Sequence, residues 1–268
     1  MSAAARAGVE VGPGVFVMTS TRFTTTSTIV RRGDAVLLVD PAWTVAELES
    51  IRDWVAAHGC HVTAGFGTHA HHDHLLWHPD FGDAPRWASP RTVELATEWH
   101  DELTAGLDDD VRHQLPDPFV GLQRTEGQLP EPFGHRDDEP VELFVHDGHA
   151  PGHTAVWLPN RGVLLAGDML SDIELPLPFD PDDLPGYLDA LDTLAPLVEQ
   201  ASVLVPGHGH PTERPLARLD ADRAYLDAVL HGRDPDDARR ALPGMRDAHR
   251  RIVEIVRAGG GPHEGSER

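Results

Sequence analysis

Cysteine is almost absent from this sequence, which contains only Cys60. An internal disulfide bond and a zinc site built from several cysteines are therefore excluded. No run of about 18 apolar residues occurs, so we expect no membrane-spanning helix. The first residues of the chain also lack the apolar segment of a signal peptide, which leads us to expect a cytoplasmic protein.

Positive charge is scarce as well. The sequence has 44 acidic residues against 22 basic ones, which gives a formal net charge of -22. Such a surface repels nucleic-acid backbones and anionic membranes. We therefore expect a small-molecule substrate, with neither nucleic acid nor a membrane as a partner.

Length and hydrophobicity favour one folded domain. The chain has 268 residues, of which 40% are hydrophobic, so it can bury a large core. We interpret residues 1–268 as a single domain. Within it, residues 79–140 show few regular patterns and are expected to form an excursion beside the substrate pocket, and residues 259–268 a frayed tail.

Short apolar or β-branched runs alternate with helical patterns along the chain. Strands are predicted over residues 9–18, 24–30, 35–39, 61–67, 141–145, 155–158, 163–166 and 202–205. Helices are predicted over residues 44–58, 91–103, 184–197, 214–230 and 236–257. Thr44 and Glu47 have the spacing of a capping box at the start of the first helix. The order of these elements permits two packed sheets with helices outside them.

The densest chemical signal is the segment THAHHDH, from Thr68 to His74. In an extended chain, residues 69, 71 and 73 point to the same side, and a bend near residue 72 can bring His74 to them. Imidazoles and a carboxylate grouped in this way suit a borderline divalent cation, zinc first. His72 is expected to point away from the group.

Three further residues of metal-ligand type each follow a glycine near a short apolar strand. They are His153, Asp168 and His208, in the sequences PGHT, AGD and PGHG. Each signal is weak alone, because a histidine after a turn is more often structural. Residues at strand ends fall on one edge of a sheet, so we predict that these three converge with the histidine-rich segment.

This set of residues resembles the metallo-β-lactamase superfamily. The family's His-x-His-x-Asp-His motif is matched at residues 69–74, and its Gly-His, Gly-Asp and Gly-His positions fall in order at 152–153, 167–168 and 207–208. Asp40 matches the family's early acidic residue. The resemblance covers about residues 12 to 210. It implies an α/β fold, a four-layer αββα sandwich with metal ions at one edge of the two sheets.

The resemblance also implies ligands for two metal ions, which would be zinc, with iron or manganese as alternatives. The first ion would be bound by His69, His71 and His153, the second by Asp73, His74 and His208, and both by a bridging Asp168. Asp40 would orient one of these ligands from behind the site, or else cap the helix that follows it.

The implied function is that of a metal-dependent hydrolase. Two neighbouring metal ions share a hydroxide at neutral pH and polarise the bond that it attacks. Asp73 would orient this nucleophile and help to move its proton. We expect an ester, thioester or lactone substrate. The alternatives are a phosphodiesterase, a mononuclear-iron oxidative enzyme, and a binding protein without turnover.

Two departures from family patterns narrow the substrate. Lactam-degrading members usually have cysteine or serine where this chain has Asp168, so a β-lactamase is not expected. Lactonases tend to have a tyrosine three residues later, where this chain has Ser171. Tyr187 could reach the pocket instead or pack in the core. Five aromatic residues are further candidates for apolar pocket contacts, with ordinary packing as the alternative: Trp77, Trp87, Trp99, Phe119 and Phe133.

Overall fold

Two β-sheets form the centre of the protein in a computed structural model that describes residues 7–125, 127–134, 139–179 and 182–259. The first sheet contains β1 (Val9–Gly12), β2 (Val15–Thr19), β3 (Thr26–Arg32), β4 (Ala35–Val39), β5 (His61–Phe66), β6 (Arg86–Ala88) and β7 (Leu122–Arg124), in that order. The pairs from β1 to β4 are antiparallel, and those from β4 to β7 are parallel.

The second sheet has the order β11-β10-β9-β8. Its strands are β8 (Glu142–His146), β9 (His153–Leu158), β10 (Val163–Gly167) and β11 (Val203–Pro206). β10 and β11 are parallel, whereas β8 and β10 are each antiparallel to β9.

Seven α-helices occur in the described ranges. They are α1 (Val45–Ala57), α2 (Pro90–Glu98), α3 (His100–Gly106), α4 (Asp109–Gln114), α5 (Leu184–Gln200), α6 (Pro215–Leu230) and α7 (Met245–Arg257). The expected capping box is present, because Thr44 accepts the Glu47 N–H and the Glu47 side chain accepts the Thr44 N–H. None of the described helices is long and apolar enough to cross a membrane.

Three clusters of buried side chains define four layers. In β4, for example, Leu37 belongs to the cluster between the two sheets, and its neighbour Leu38 belongs to the cluster beneath α1. Successive strand residues point to opposite faces, so a wholly apolar strand is covered on both sides. The second sheet likewise packs on α5, α6 and α7 with its other face. The αββα sandwich implied by the sequence is therefore confirmed.

Some predicted elements differ in extent. The helix expected over 91–103 is two helices that meet at Trp99. The helix expected over 236–257 is a 3-10 turn followed by α7, because Gly244 adopts a left-handed φ of 78° that a continuous helix does not permit. Residues 79–140 contribute β6, β7 and three helices, and residues 126, 135–138 and 260–268 lie outside the described ranges.

One edge of the sandwich gathers the ends of strands from both sheets. The parallel strands β4 and β5 end here in the first sheet, as do β10 and β11 in the second. Backbone hydrogen bonds join the sheets at this edge, from the Thr26 N–H to the Gly207 carbonyl at 2.7 Å and from the Thr154 N–H to the Thr68 carbonyl at 2.9 Å. The residues that follow these strands are therefore held close together.

Candidate metal centre

The histidine-rich segment begins where β5 ends and is anchored to the end of β4. Asp40 accepts hydrogen bonds from the Thr68 N–H at 2.8 Å and the Thr68 hydroxyl at 2.7 Å. Because Thr68 donates its hydroxyl proton to Asp40, it can accept one from His69 Nδ1, 3.0 Å away. His69 Nε2 is then left with a lone pair that faces the edge of the sheets.

Four residues form a first group of ligand atoms. Atoms of His69, His71, His149 and Asp168 all lie within 4.8 Å of one another. His71 Nδ1 is 2.9 Å from His69 Nε2 and 3.2 Å from His149 Nε2. Asp168 Oδ2 is 3.5 Å from both of those Nε2 atoms. Three nitrogens and one carboxylate oxygen at such separations suit a tetrahedral zinc site.

His149 is oriented as a metal ligand would be. Its Nδ1 lies 3.1 Å from the Leu177 carbonyl, which can only accept a hydrogen bond, so Nδ1 carries the proton. The lone pair of Nε2 therefore points at the group. Metal-binding histidines characteristically donate their other ring N–H in this way.

His153, which the sequence-based prediction names as a ligand of the first ion, is not among the atoms of either group. Its Nε2 accepts the Asp168 N–H at 3.1 Å, and its Nδ1 lies 3.3 Å from His146 Nε2. The physical reason is that β9 begins at His153, which places this ring inside the fold behind Asp168. His149, in the loop before the strand, lies in the first group instead.

A second group lies beside the first. Ligand atoms of Asp73, His74 and His208 are within 4.8 Å of one another. His208 Nε2 is 3.3 Å from His74 Nε2 and 3.1 Å from Asp73 Oδ2. Asp168 joins the two groups, because its Oδ1 is 3.2 Å from His74 Nε2 and its Oδ2 is 3.3 Å from His208 Nε2.

The second group is also oriented from behind. Asp40 Oδ2 accepts from His74 Nδ1 at 3.0 Å, so the carboxylate holds this ring with Nε2 towards the site. His208 Nδ1 lies 3.0 Å from the Phe23 carbonyl and must donate to it. The geometry favours the orienting role for Asp40 over helix capping, since Thr44 caps α1.

Burial dominates the electrostatics of the first group. It lowers the pKa of His69 and His71, and lowers the pKa of His149 to about 3. The nearby Asp168 acts in the opposite direction on each pKa, but its effect is smaller. Desolvation penalises the charged imidazole, and Asp168 alone does not compensate for it. These three rings are therefore neutral at physiological pH and offer lone pairs to a cation.

The second group behaves in the opposite way. Burial alone would lower the pKa of His74 and His208, but Asp168 and Asp73 raise both pKa values well above the usual range. Burial would raise the pKa of Asp73 and Asp168, but the neighbouring histidines lower both. Positive charge is therefore strongly favoured at this position. Without a metal ion, protons on His74 and His208 supply that charge.

The residues present fit two divalent cations. Asp168 is 8% exposed, yet its Oδ1 accepts no hydrogen bond of good geometry from any described residue. Such a buried carboxylate oxygen needs a positive partner, which is either the protonated His74 ring, whose Nε2 lies 3.2 Å away, or a metal ion. Gly207 approaches so closely that a Cβ there would overlap Asp168 Oδ1. Imidazole and carboxylate ligands in this combination suit zinc, iron or manganese.

Other candidate residues lie outside the centre. His72 points away as expected, with its ring 5.1 Å from that of Trp43. Tyr187 is buried in the core of the second sheet, with its hydroxyl 3.5 Å from Asp222 Oδ2. The five aromatic residues proposed for the pocket pack into the clusters beneath the first sheet or between the sheets: Trp77, Trp87, Trp99, Phe119 and Phe133.

Sequence reasoning missed two residues of this edge. His149 had a detectable signal, because Gly148-His149 is a second Gly-His pair just before Gly152-His153. Glu174 had none that periodicity or spacing could find. It forms a third group of ligand atoms, within 4.8 Å, with Asp168 and His208.

Comparison with known proteins gives one family. The family model described as "Metallo-beta-lactamase superfamily" matches residues 20–208. A metallo-beta-lactamase from Pontibacter korlensis is 21% identical, with a TM-score of 0.60, over 80% of this chain and 95% of that one. A metallo-beta-lactamase family protein from Thermus thermophilus is 23% identical, with a TM-score of 0.58, over 82% and 81%. A metallo-beta-lactamase from Erythrobacter litoralis is 19% identical, with a TM-score of 0.55, over 82% and 97%. At these identities the structures establish the fold.

Proposed function

Because the chain belongs to the metallo-β-lactamase superfamily, we propose that it is a dinuclear metal-dependent hydrolase acting on an ester, thioester or lactone of a small molecule. One observation carries the proposal. The buried carboxylate of Asp168 lies between two groups of ligand atoms and contacts both. A shared carboxylate is what a pair of neighbouring cations requires.

The two groups would hold one ion each. His69, His71 and His149 would bind the first, Asp73, His74 and His208 the second, and Asp168 both. When bound, the two ions would supply an acidified water and a Lewis acid for the oxygen of the scissile group. Zinc is proposed for the first position, whose ligands are three imidazoles and one carboxylate.

Asp73 is the proposed catalytic carboxylate. Its pKa is lowered by His74 and His208 against the effect of burial, so it stays ionised and can accept a hydrogen bond from the attacking water. Its Oδ2 lies 3.1 Å from His208 Nε2 and 3.5 Å from His74 Nε2, which fixes its direction. Asp73 is therefore proposed to orient the nucleophile.

The preference for an ester, thioester or lactone draws on two features. The first argues against a lactam, because Asp168 stands where lactam-degrading members of the family usually have cysteine or serine. Phe23 is 64% exposed, and its carbonyl accepts the hydrogen bond from His208 Nδ1, so we propose that this apolar residue forms part of the rim of the centre. Such a ring suits the acyl part of a small substrate. The net charge of -22 favours a small molecule over a nucleic acid.

A substrate screen tests this proposal. The zinc-loaded wild type is offered an aryl ester, an acyl thioester, a lactone and an aryl phosphate diester, alongside Asp168→Asn and the control His72→Ala. We expect turnover of at least one carbonyl substrate, lost in Asp168→Asn and retained in His72→Ala, whose ring faces Trp43. Faster turnover of the phosphate diester, or none of any substrate by the loaded protein, would contradict the proposal.

A further inference from the structure

Glu174 places a third acidic side chain at the metal edge. It follows Asp168 on the loop between β10 and α5, and its carboxylate lies within 4.8 Å of ligand atoms of Asp168 and His208. Among the described residues, the Glu174 carboxylate makes no hydrogen bond or salt bridge. Burial raises the pKa of Glu174 to about 7, with a further contribution from Asp168 and Asp73 and an opposing one from His208.

The fold holds the Glu174 backbone firmly. The Ser171 hydroxyl accepts the Glu174 N–H at 3.1 Å and donates to the His208 carbonyl at 2.6 Å. On the other side, Arg239 Nη1 donates to the Glu174 and Ser171 carbonyls, each at 2.9 Å. Arg239 is itself fixed by the buried Asp222 at 2.6 Å. This bracing keeps the first atoms of the Glu174 side chain at a fixed position beside the second group.

A second observation points to a ligand between these carboxylates. Asp168 Oδ1 is buried and lacks a hydrogen-bond donor of good geometry in the described part of the chain, although His74 Nε2 lies 3.2 Å away as an ion-pair partner. A cation that binds Asp168 and His208 at ordinary ligand distances of about 2.0–2.2 Å separates its ligand atoms by up to about 4 Å. An atom within 4.8 Å therefore needs only a small side-chain movement to join them.

We propose that Glu174 is an additional ligand of the second metal ion, which gives that ion two imidazoles and three carboxylates. The proposal rests on the dinuclear function, since it needs a cation at this position. The first ion would have three imidazoles and one carboxylate. Oxygen-rich sites with more ligands favour harder ions such as manganese. The second position therefore accepts Mn²⁺ more readily than the first.

The test uses metal binding and does not depend on substrate. Metal-free full-length protein is loaded with an equimolar amount of Zn²⁺ and titrated with Mn²⁺, and free Mn²⁺ is followed by electron paramagnetic resonance. We expect the wild type to bind about one Mn²⁺ per chain, and Glu174→Gln and Glu174→Ala to weaken this binding about tenfold or more. Circular dichroism checks that the variants are folded.

Asp172→Asn is the matched control, because Asp172 lies on the same loop but pairs with His210 and Arg218 instead of the centre. It should bind Mn²⁺ as the wild type does. Wild-type affinity in both Glu174 variants would overturn the role of Glu174 and leave the dinuclear function standing. A wild type that binds no second ion of any kind would overturn both.

Discussion

The two groups of ligand atoms share one edge and one carboxylate, yet they differ in charge preference. In the first, burial lowers the pKa of His69, His71 and His149, so all three rings are neutral. In the second, Asp168 and Asp73 overcome burial and raise the pKa of His74 and His208. The number of nearby carboxylates accounts for the difference.

If the two groups bind metal ions as proposed, this contrast lets the protein fold before the ions bind. The neutral rings of the first group can be buried without a counter-charge and stay ready for a cation. The second group brings carboxylates together, and protons on its histidines balance them until a metal replaces those protons.

The largest effect is expected from removing the third imidazole of the first group. His149→Ala should lose the first metal ion and lower kcat/KM by about a thousandfold, which corresponds to the several kcal/mol that a catalytic metal contributes. His153→Ala is the matched control and should keep both ions, because its Nε2 faces the Asp168 N–H. Metal analysis and steady-state kinetics measure both. If His153→Ala loses a metal ion and His149→Ala does not, His153 and not His149 is the ligand.

The metal affinities of the two groups should respond differently to pH. The pKa of His74 and His208 is raised, so both rings hold protons near neutral pH and must release them to bind metal. Raising the pH favours the deprotonated rings, and affinity at the second position should rise about tenfold per pH unit for each proton released. Affinity at the first position should stay nearly constant, since its pKa values are lowered.

Competition with a chromophoric chelator between about pH 6 and about pH 8 measures both affinities. His149→Ala reports on the second position alone and serves as the reference. Equal pH dependence at the two positions would remove the electrostatic contrast.

A smaller effect is expected at Asp40, which contacts His74 of the second group directly and His69 of the first group only through Thr68. Asp40→Asn keeps the shape of the side chain but weakens its hold on His74 Nδ1. Affinity for the second ion should fall about 10- to 100-fold, the usual effect of losing such a partner, while the first ion is retained. Isothermal titration calorimetry separates the two events. An equal loss at both positions would show that Asp40 acts on the whole edge.

The smallest effect is expected at the rim. Phe23→Ala removes the exposed ring but keeps the carbonyl that binds His208. KM for an acyl substrate should rise about three- to tenfold with metal content unchanged, as expected when part of an apolar contact is lost. An unchanged KM across a series of acyl chain lengths would place the acyl group elsewhere.

Much of the fold could be predicted because its signals are local. The wholly apolar run of β4 indicates a strand covered on both faces, and Thr44 with Glu47 marks the start of α1. By contrast, β6 and β7 have three residues each, too few to show a period of two. β6 depends on pairing with β5, and β7 on pairing with β6, and both are tertiary contacts.

The site could be predicted in part for the same reason. The motif from His69 to His74 is contiguous, so its pattern is visible in the sequence. Whether His149 or His153 faces the centre depends on where β9 begins, and the local sequence does not distinguish them because each follows a glycine. Glu174 reaches the edge through a loop braced by Arg239, far away in the sequence, and no local pattern encodes that contact.

The metal content of the purified protein shows whether Asp168 joins two ions. The wild type and Asp168→Ala are purified without a metal-affinity tag and analysed by mass spectrometry, with circular dichroism as a check of folding. We expect about two divalent ions per wild-type chain and the loss of at least one in Asp168→Ala, because the Asp168 carboxylate of the wild type contacts both groups. A folded wild type that holds one ion or none when metal is supplied in excess would contradict the dinuclear function.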